Sequence, residues 1–289
     1  MINPLISKEG FNYFLSLVDS HHISKNSLEQ VISSLAEKSP DQLEDTKLSN
    51  SSTHKFIRSA RKRNQIIGLI RIISELTKSK EYKKVLDVGS GSGQVTAELA
   101  RAFPQSKTVG IEINNTLVTT ARKNYGSLGN LSFYEGNCFD RLPLKPNLIV
   151  SLHGCGSITD RVLDLAIESS ADVICVPCCY AKIIGNVPGN YIEKLKLPRS
   201  KTLSPVKEIF TERVMERVKY LEGYLGDGKT TRARTVRDIY RMLLDYDRLF
   251  CLIEQGYQTK ISYLTQRELK INGKKHLNSS LRTVIIGQK

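Results

Sequence analysis

Hydrophobic residues follow two patterns that alternate along this 289-residue chain. Short apolar runs predict strands, and apolar residues at helical spacing predict a helix after each of several runs. An alternation of this kind is typical of a parallel sheet with helices on both faces. The predicted strands are 84–88, 107–112, 131–134, 148–152 and 173–176, with helices after Gly93, at 115–124 and at 159–169.

Two more apolar runs, 260–264 and 282–286, lie near the end of the chain with no helix predicted between them. We expect them to form an antiparallel pair that closes the sheet. A helix at 232–249 precedes them, and the segment 185–230 is largely irregular apart from a helix predicted at 208–222.

The first part of the chain differs in composition. Residues 1–50 show helical periodicity followed by a polar, acidic stretch, so they are interpreted as a helical appendage to a domain at 51–289. The next helix, predicted at 54–79, carries an apolar stripe and a basic first half. Its arginines include Arg58, Arg61 and Arg63, for which a phosphate-contacting role and a solvated helix face are both open.

A glycine-rich turn follows the first strand of the sheet. Asp87 ends the apolar run, and Gly89, Gly91 and Gly93 alternate with small residues after it. Glycine lets the backbone approach a ligand where a Cβ atom would clash. Glu112 ends the next strand, where a carboxylate can accept hydrogen bonds from both hydroxyls of a ribose.

The spacing D-x-G-x-G-x-G differs from the G-x-G-x-x-G of dinucleotide-binding turns. An anionic Asp87 suits a cationic ligand better than a pyrophosphate. The turn resembles motif I of the class I S-adenosylmethionine-dependent methyltransferases, although a glycine turn of another α/β protein is the alternative. The resemblance implies a Rossmann-like sheet, S-adenosylmethionine as cofactor, and adenine contacts from Asn137, where the family usually has an acid.

Two further motifs follow the fourth and fifth strands. They read Leu152-His153-Gly154-Cys155-Gly156 and Pro177-Cys178-Cys179-Tyr180. They resemble the LH-x-CG…PCCY signature of a methyltransferase family that is distantly similar to the tRNA acceptor-stem 2′-O-methyltransferases. The resemblance covers roughly residues 54–289 and implies that both strand ends meet beside the transferred methyl group.

Several roles are open for this cluster. His153 could contact the cofactor, or act as a general base or orienting group, with Tyr180 stacking on a base. Cys178 or Cys155 could be a covalent nucleophile, or His153 and the cysteines could bind zinc. The remaining alternative is a reduced thiol cluster that only fills space. A methyl displacement by itself requires no metal.

The net charge of +14 favours a polyanionic partner, most plausibly RNA, although surface lysine alone could give the same excess. Arg234 and Arg237 lie at helical spacing and could contact phosphate or pair with nearby aspartates. No apolar run is long enough to span a bilayer and no secretory signal is evident, so membrane binding is not expected. The six cysteines, without a spaced framework, indicate reduced thiols and a cytoplasmic protein.

The sequence therefore predicts a class I methyltransferase that acts on RNA, either tRNA or rRNA. Two alternatives remain open at this point. The first is a protein methyltransferase, because the same fold serves that reaction. The second is a module that binds cofactor or RNA without catalysis.

Overall fold

The protein is described from a computed structural model. The description covers the backbone of residues 52–76, 80–154, 156–177, 180, 197–204, 207, 231–264, 269–271, 274–276 and 282–289. These residues fall into two compact units. One contains 52–177 and 257–289, and the other contains the described residues between 180 and 256.

The first unit is built on a seven-stranded sheet. Its strands are β1 Lys84–Val88, β2 Lys107–Glu112, β3 Leu131–Glu135, β4 Leu148–Leu152, β5 Asp172–Val176, β6 Gln258–Leu264 and β9 Arg282–Gln288. Their order across the sheet is β3-β2-β1-β4-β5-β9-β6. The first five pair in parallel, and β9 runs antiparallel to both β5 and β6. The order reverses at β1 and β4, where open α/β sheets bind their ligands. The predicted sheet and its closing antiparallel pair are confirmed.

The helices of this unit are α1 Ser52–Leu76, α2 Gln94–Ala102, α3 Asn115–Tyr125 and α4 Ser157–Ser169. Local chemistry explains where several of them begin and end. The side chain of Asn114 caps α3 by accepting a hydrogen bond from the backbone N–H of Leu117 at 3.2 Å. Helix α4 ends at Ser170, which has the left-handed φ of 54° that closes many helices.

The core lies between the central strands and helices α1 and α2. Leu69 and Ile73 of α1 are fully buried, as is Leu99 of α2, and they pack with residues of β1, β4 and β9. Ile67 lies one helical position further round than the buried Ile66 and is 44% exposed, so it lies outside this core.

A short hairpin, β7 Leu269–Ile271 and β8 Lys274–His276, lies between β6 and β9 in the chain and forms a separate two-stranded sheet. The sequence did not predict it, since three-residue strands give no readable alternation. Within the described ranges, no helix combines the length and the apolar character needed to cross a membrane.

Asp172 joins three parts of the first unit at the start of β5. Its side chain is buried and accepts hydrogen bonds from the Tyr82 hydroxyl at 2.6 Å, the Lys80 ammonium at 2.9 Å and the Lys289 backbone N–H at 2.8 Å. Burial, followed by the carboxylate of Asp172, raises the pKa of Tyr82 above its usual range. One carboxylate thus ties the segment before β1 to the strand that pairs with β9.

Replacing Asp172 by alanine is expected to lower the free energy of unfolding by about 2–4 kcal/mol, because the buried Tyr82 hydroxyl loses an acceptor and the contacts with Lys80 and Lys289 are lost as well. Urea denaturation followed by circular dichroism measures this. Asp172→Asn keeps an acceptor oxygen and should lose less. Glu81→Ala, at an exposed position nearby, should stay within about 0.5 kcal/mol. An Asp172→Ala loss as small as that of Glu81→Ala would show that Asp172 is not an anchor.

The second unit contains helix α5, Thr231–Glu254, and the loop 197–204. Asp247, which is fully buried, accepts hydrogen bonds from the backbone N–H groups of Arg199 at 2.7 Å and Ser200 at 2.9 Å. Two turns further along the helix, Glu254 accepts from the backbone N–H groups of Lys201 at 3.0 Å and Thr202 at 2.8 Å. Burial raises the pKa of Glu254, but these hydrogen bonds outweigh it and lower that pKa overall. Two carboxylates therefore fix the loop against α5.

Candidate active site

The turn between β1 and α2 uses its three glycines in two ways. Gly89, Gly91 and Gly93 have φ angles of 74°, 56° and 84°, which side-chain-bearing residues rarely adopt. A Cβ atom built at Gly89 or Gly91 would meet no described atom within 4 Å, so the turn is open there. A Cβ atom at Gly93 would lie 2.6 Å from the Phe133 ring. Gly93 therefore serves helix packing, while Gly89 and Gly91 leave room for a ligand.

Hydrogen bonds hold the glycine turn against β2. The backbone N–H groups of Gly89 and Ser90 both donate to the carbonyl of Ile111, at 3.0 and 3.1 Å. Gly110 makes room for this contact, since a Cβ atom there would lie 2.8 Å from the Cβ of Ser90. Strand β2 thus sets the position of the turn, and a ligand in the turn lies beside the end of β2.

Glu112 is held in place at that end. Its Oε2 accepts a hydrogen bond from the Gly91 N–H and its Oε1 accepts one from the Asn114 N–H, both at 3.0 Å. A carboxylate has about four lone-pair sites, so each oxygen can accept a further hydrogen bond. Glu112 is partly exposed, and its hydrogen bonds to two ribose hydroxyls stay a prediction.

Asp87 lies beneath the turn, with 1% of its surface exposed. Its Oδ2 accepts a hydrogen bond from the Thr96 hydroxyl at 2.7 Å, which ties α2 to the end of β1. Asn137 follows β3, and its side-chain oxygen accepts from the Phe139 N–H at 3.1 Å. This bond uses the oxygen within a local turn, so the side-chain nitrogen of Asn137 is the better placed group for an adenine ring nitrogen.

These residues fit S-adenosylmethionine. Two carboxylic acids at neighbouring strand ends would suit the ammonium and the ribose of the cofactor, and the open space at Gly89 and Gly91 would let it approach the backbone. No group of three His, Cys, Asp or Glu suited to a metal ion occurs among the described residues, which exclude Cys155, Cys178 and Cys179. The zinc and covalent-cysteine hypotheses therefore stay untested.

His153 lies directly after β4, at the same edge of the sheet. Its backbone has a φ of 68°, and its N–H donates to the carbonyl of Val176 at 3.2 Å, so the ends of β4 and β5 are joined as predicted. Beside it, the buried Ser151 hydroxyl donates to the carbonyl of Val88 at 2.9 Å. This hydrogen bond ties the end of β4 to the strand that leads into the glycine turn.

The ring of His153 contacts helix α1. Its Nε2 lies 2.8 Å from the side-chain oxygen of Gln65, a residue that is 7% exposed. Sequence reasoning missed Gln65, although it lies four residues before Leu69 on the buried side of the helix. A polar residue at an apolar position of that stripe was the signal that could have found it.

Two cysteines near the site are buried thiols. Burial raises the pKa of Cys138, which follows Asn137, to about 11, so the thiol is protonated at neutral pH. Cys175 lies inside β5 and is also buried. A protonated thiol is a poor nucleophile, and both residues serve packing.

Tyr180 belongs to the second unit and is 5% exposed there. Its hydroxyl donates to Asp245 at 2.6 Å, and the guanidinium carbons of Arg241 and Arg248 lie 5.4 and 5.5 Å from its ring centre. Burial, followed by the charge of Asp245, raises the pKa of Tyr180. Within its unit the ring is engaged by helix α5, and its predicted stacking on a base stays a prediction.

The structure describes only part of the predicted basic surface. Arg63 is exposed on α1. Arg58 and Arg61 lie on the same helix, and Arg234 and Arg237 lie on α5, but the side chains of these four fall outside the described residues. Their contacts with nucleic acid stay predictions.

Residues 61–186 match the model of a family described as a methyltransferase domain. The matched range is under half of the chain and includes β1 to β5, the glycine turn and His153. This part of the chain is therefore similar to a methyltransferase domain. The matched range contains the predicted cofactor-binding residues Asp87, Gly89, Gly91, Glu112 and Asn137, which we call the cofactor cradle, together with His153.

Curated relatives share part of this chain. The glutathione S-transferase C-terminal domain-containing protein of Mus musculus is 32% identical over 149 residues, which are 51% of this chain and 23% of that protein. The homolog in Drosophila melanogaster is 26% identical over 227 residues, 78% of this chain and 37% of that protein. The chain thus spans less than two fifths of the length of each of these two relatives.

A solved structure is also similar to this chain at low identity. Magnesium protoporphyrin IX methyltransferase from Synechocystis PCC 6803, with bound SAH, is 14% identical with a TM-score of 0.43, covering 85% of this chain and 90% of that one.

Proposed function

We propose that this protein is an S-adenosylmethionine-dependent methyltransferase that modifies RNA, either tRNA or rRNA. The observation that carries the proposal is the arrangement of Glu112. Its carboxylate is fixed by the backbone N–H groups of Gly91 and Asn114, at 3.0 Å each, beside an open turn of left-handed glycines. The match of residues 61–186 to a methyltransferase domain supports the same reaction class.

Each residue of the cofactor cradle would make a different contact with S-adenosylmethionine. Glu112 would accept hydrogen bonds from the ribose hydroxyls, and Asp87 would place negative charge near the ammonium group. Gly89 and Gly91 would let the backbone approach the ligand, and Asn137 would donate to the adenine ring. When bound, S-adenosylmethionine supplies an electrophilic methyl group on a sulfonium.

His153 would act on the acceptor. It lies at the carboxyl end of β4, beside the strand that carries Asp87, and Ser151 holds the two strand ends together. An imidazole titrates near neutral pH, so it suits removal of a proton from a hydroxyl or amine as the methyl group is transferred. The protein otherwise contributes mainly orientation of the acceptor.

RNA is the proposed acceptor because of charge. The chain carries 43 Lys and Arg against 29 Asp and Glu, a net charge of +14. An excess of this size attracts polyanions over long distances and supplies cations for phosphate contacts. The exposed Arg63 on α1 is one such cation within the same unit as the cradle.

Binding of RNA is expected to weaken steeply with salt. If about four phosphates are neutralised on a single strand, raising monovalent salt from about 50 to about 200 mM should raise the Kd roughly fiftyfold. Fluorescence anisotropy with labelled tRNA measures this. The Kd for S-adenosylmethionine over the same range is the internal control and should change little. An RNA affinity that hardly depends on salt would contradict a phosphate-driven partner.

The proposal is tested by methyl transfer from labelled S-adenosylmethionine to RNA, protein and small-molecule fractions of cells that lack the gene. Label in RNA that disappears with His153→Asn is the expected result. Label in the protein fraction instead would overturn the RNA assignment in favour of a protein methyltransferase. Cofactor binding without label in any fraction would favour a non-catalytic module.

A further inference from the structure

Among the residues of helix α1 whose side chains the structure describes, the buried side contains one polar residue, Gln65. Gln65, Leu69 and Ile73 are spaced four residues apart, so their side chains lie along one face of the helix. Leu69 and Ile73 are fully buried in the core, and Gln65 is 7% exposed. A buried amide without partners costs about 1–3 kcal/mol, so a leucine or methionine would be the simpler residue at this position.

Gln65 has a specific partner in His153. The distance from its side-chain oxygen to Nε2 is 2.8 Å, and an amide oxygen can only accept a hydrogen bond. A hydrogen bond between these two atoms requires the proton on Nε2, and in the neutral ring the basic lone pair is then on Nδ1. The position of this lone pair decides which side of the ring can take a proton from the substrate group that receives the methyl.

The backbone of His153 is fixed independently of this contact. Its φ of 68° is unfavourable for a residue with a side chain and is kept by the hydrogen bond from its N–H to Val176 at 3.2 Å. Gly154 allows the tight turn that follows, since a Cβ atom there would lie 2.7 Å from the Ser151 hydroxyl. Strand β5 thus sets the place of the residue, and helix α1 sets the ring.

We propose that Gln65 is a positioning residue for His153. Its amide oxygen selects the tautomer with the proton on Nε2 and fixes the plane of the ring, so that Nδ1 is the nitrogen that accepts a proton. The inference rests on the proposed function for its catalytic consequence. The tautomer itself is a property of the protein without substrate.

Nitrogen-15 NMR of the histidine rings tests the tautomer directly. The chain has five histidines, and the signal of His153 is the one lost in His153→Asn. At a pH where the ring is neutral, we expect the proton on Nε2 in the unmodified protein. Gln65→Met, which keeps the volume but lacks the acceptor, should shift the signal toward a mixture of tautomers. Gln65→Glu, which keeps an oxygen, should restore the Nε2–H form.

Gln258→Met, on an exposed position of β6, is the matched control and should leave the His153 signal unchanged. A proton on Nδ1 in the unmodified protein, or the same tautomer in Gln65→Met, would overturn the proposal. A proton on Nδ1 in the unmodified protein overturns the proposal even if Gln65→Met does not fold.

Methyl transfer separates this inference from the proposed function. We expect Gln65→Met to lower kcat roughly tenfold or more without changing the Kd for S-adenosylmethionine, and Gln65→Glu to recover most of the loss. If the unmodified protein transfers no methyl group to any fraction, the proposed function fails while the tautomer still decides the role of Gln65. If transfer occurs and Gln65→Met leaves kcat unchanged, the positioning role is wrong.

Discussion

Glu112→Ala is expected to weaken S-adenosylmethionine binding about a hundredfold. The variant would lose two charge-assisted hydrogen bonds from the carboxylate to the ribose hydroxyls, each worth about 1.5 kcal/mol or more. A change of about 1.4 kcal/mol corresponds to a factor of ten in Kd. The Gly91 and Asn114 N–H groups would also lose the acceptor that now lies 3.0 Å from each. Isothermal titration calorimetry measures the change.

The matched controls for this variant separate charge from geometry. Glu112→Gln keeps one acceptor oxygen and should bind with intermediate affinity. Glu98→Ala, on the exposed face of α2, removes the same charge at a position outside the cradle and should change the Kd less than about twofold. If Glu112→Ala bound as tightly as Glu98→Ala, the cradle would be assigned to the wrong strand end.

The sheet could be predicted from the sequence because its signals are local. The runs at 84–88, 107–112 and 148–152 coincide with the strands in the structure. A buried parallel strand is nearly all apolar and is flanked by turns or by a helix of a different period, so its ends are marked on both sides. The cofactor cradle could be proposed from the sequence for the same reason. Asp87 and Glu112 lie at strand ends, so their places in the sheet are set once the strands are known.

The contacts that orient the site could not be predicted in this way. Gln65 and His153 are 88 residues apart, and only the packing of α1 on the sheet brings them together. The approach of the Phe133 ring of β3 to within 2.6 Å of where a Cβ atom of Gly93 would be is a second contact of this kind. Side-chain contacts between distant elements depend on packing that has no periodic signature.

Loss of the imidazole at position 153 is expected to lower kcat by about 10²–10⁴-fold, the usual contribution of a positioned general base. The variant of choice is His153→Asn, because asparagine tolerates a positive φ better than alanine and the backbone here has a φ of 68°. The fold should therefore survive. Single-turnover transfer of labelled methyl groups to RNA measures the rate, and calorimetry gives the affinity for the cofactor.

The effects of the substitution on kcat and on the Kd for S-adenosylmethionine decide between the roles predicted for His153. A general base acts only on the acceptor, so kcat should fall while the Kd for S-adenosylmethionine stays within about threefold. A contact to the cofactor would raise that Kd instead. His153→Gly provides the second control, since glycine relieves the backbone strain and removes the ring. If both variants kept the unmodified kcat, His153 would be a structural residue that joins β4, β5 and α1, and the acceptor would be deprotonated elsewhere.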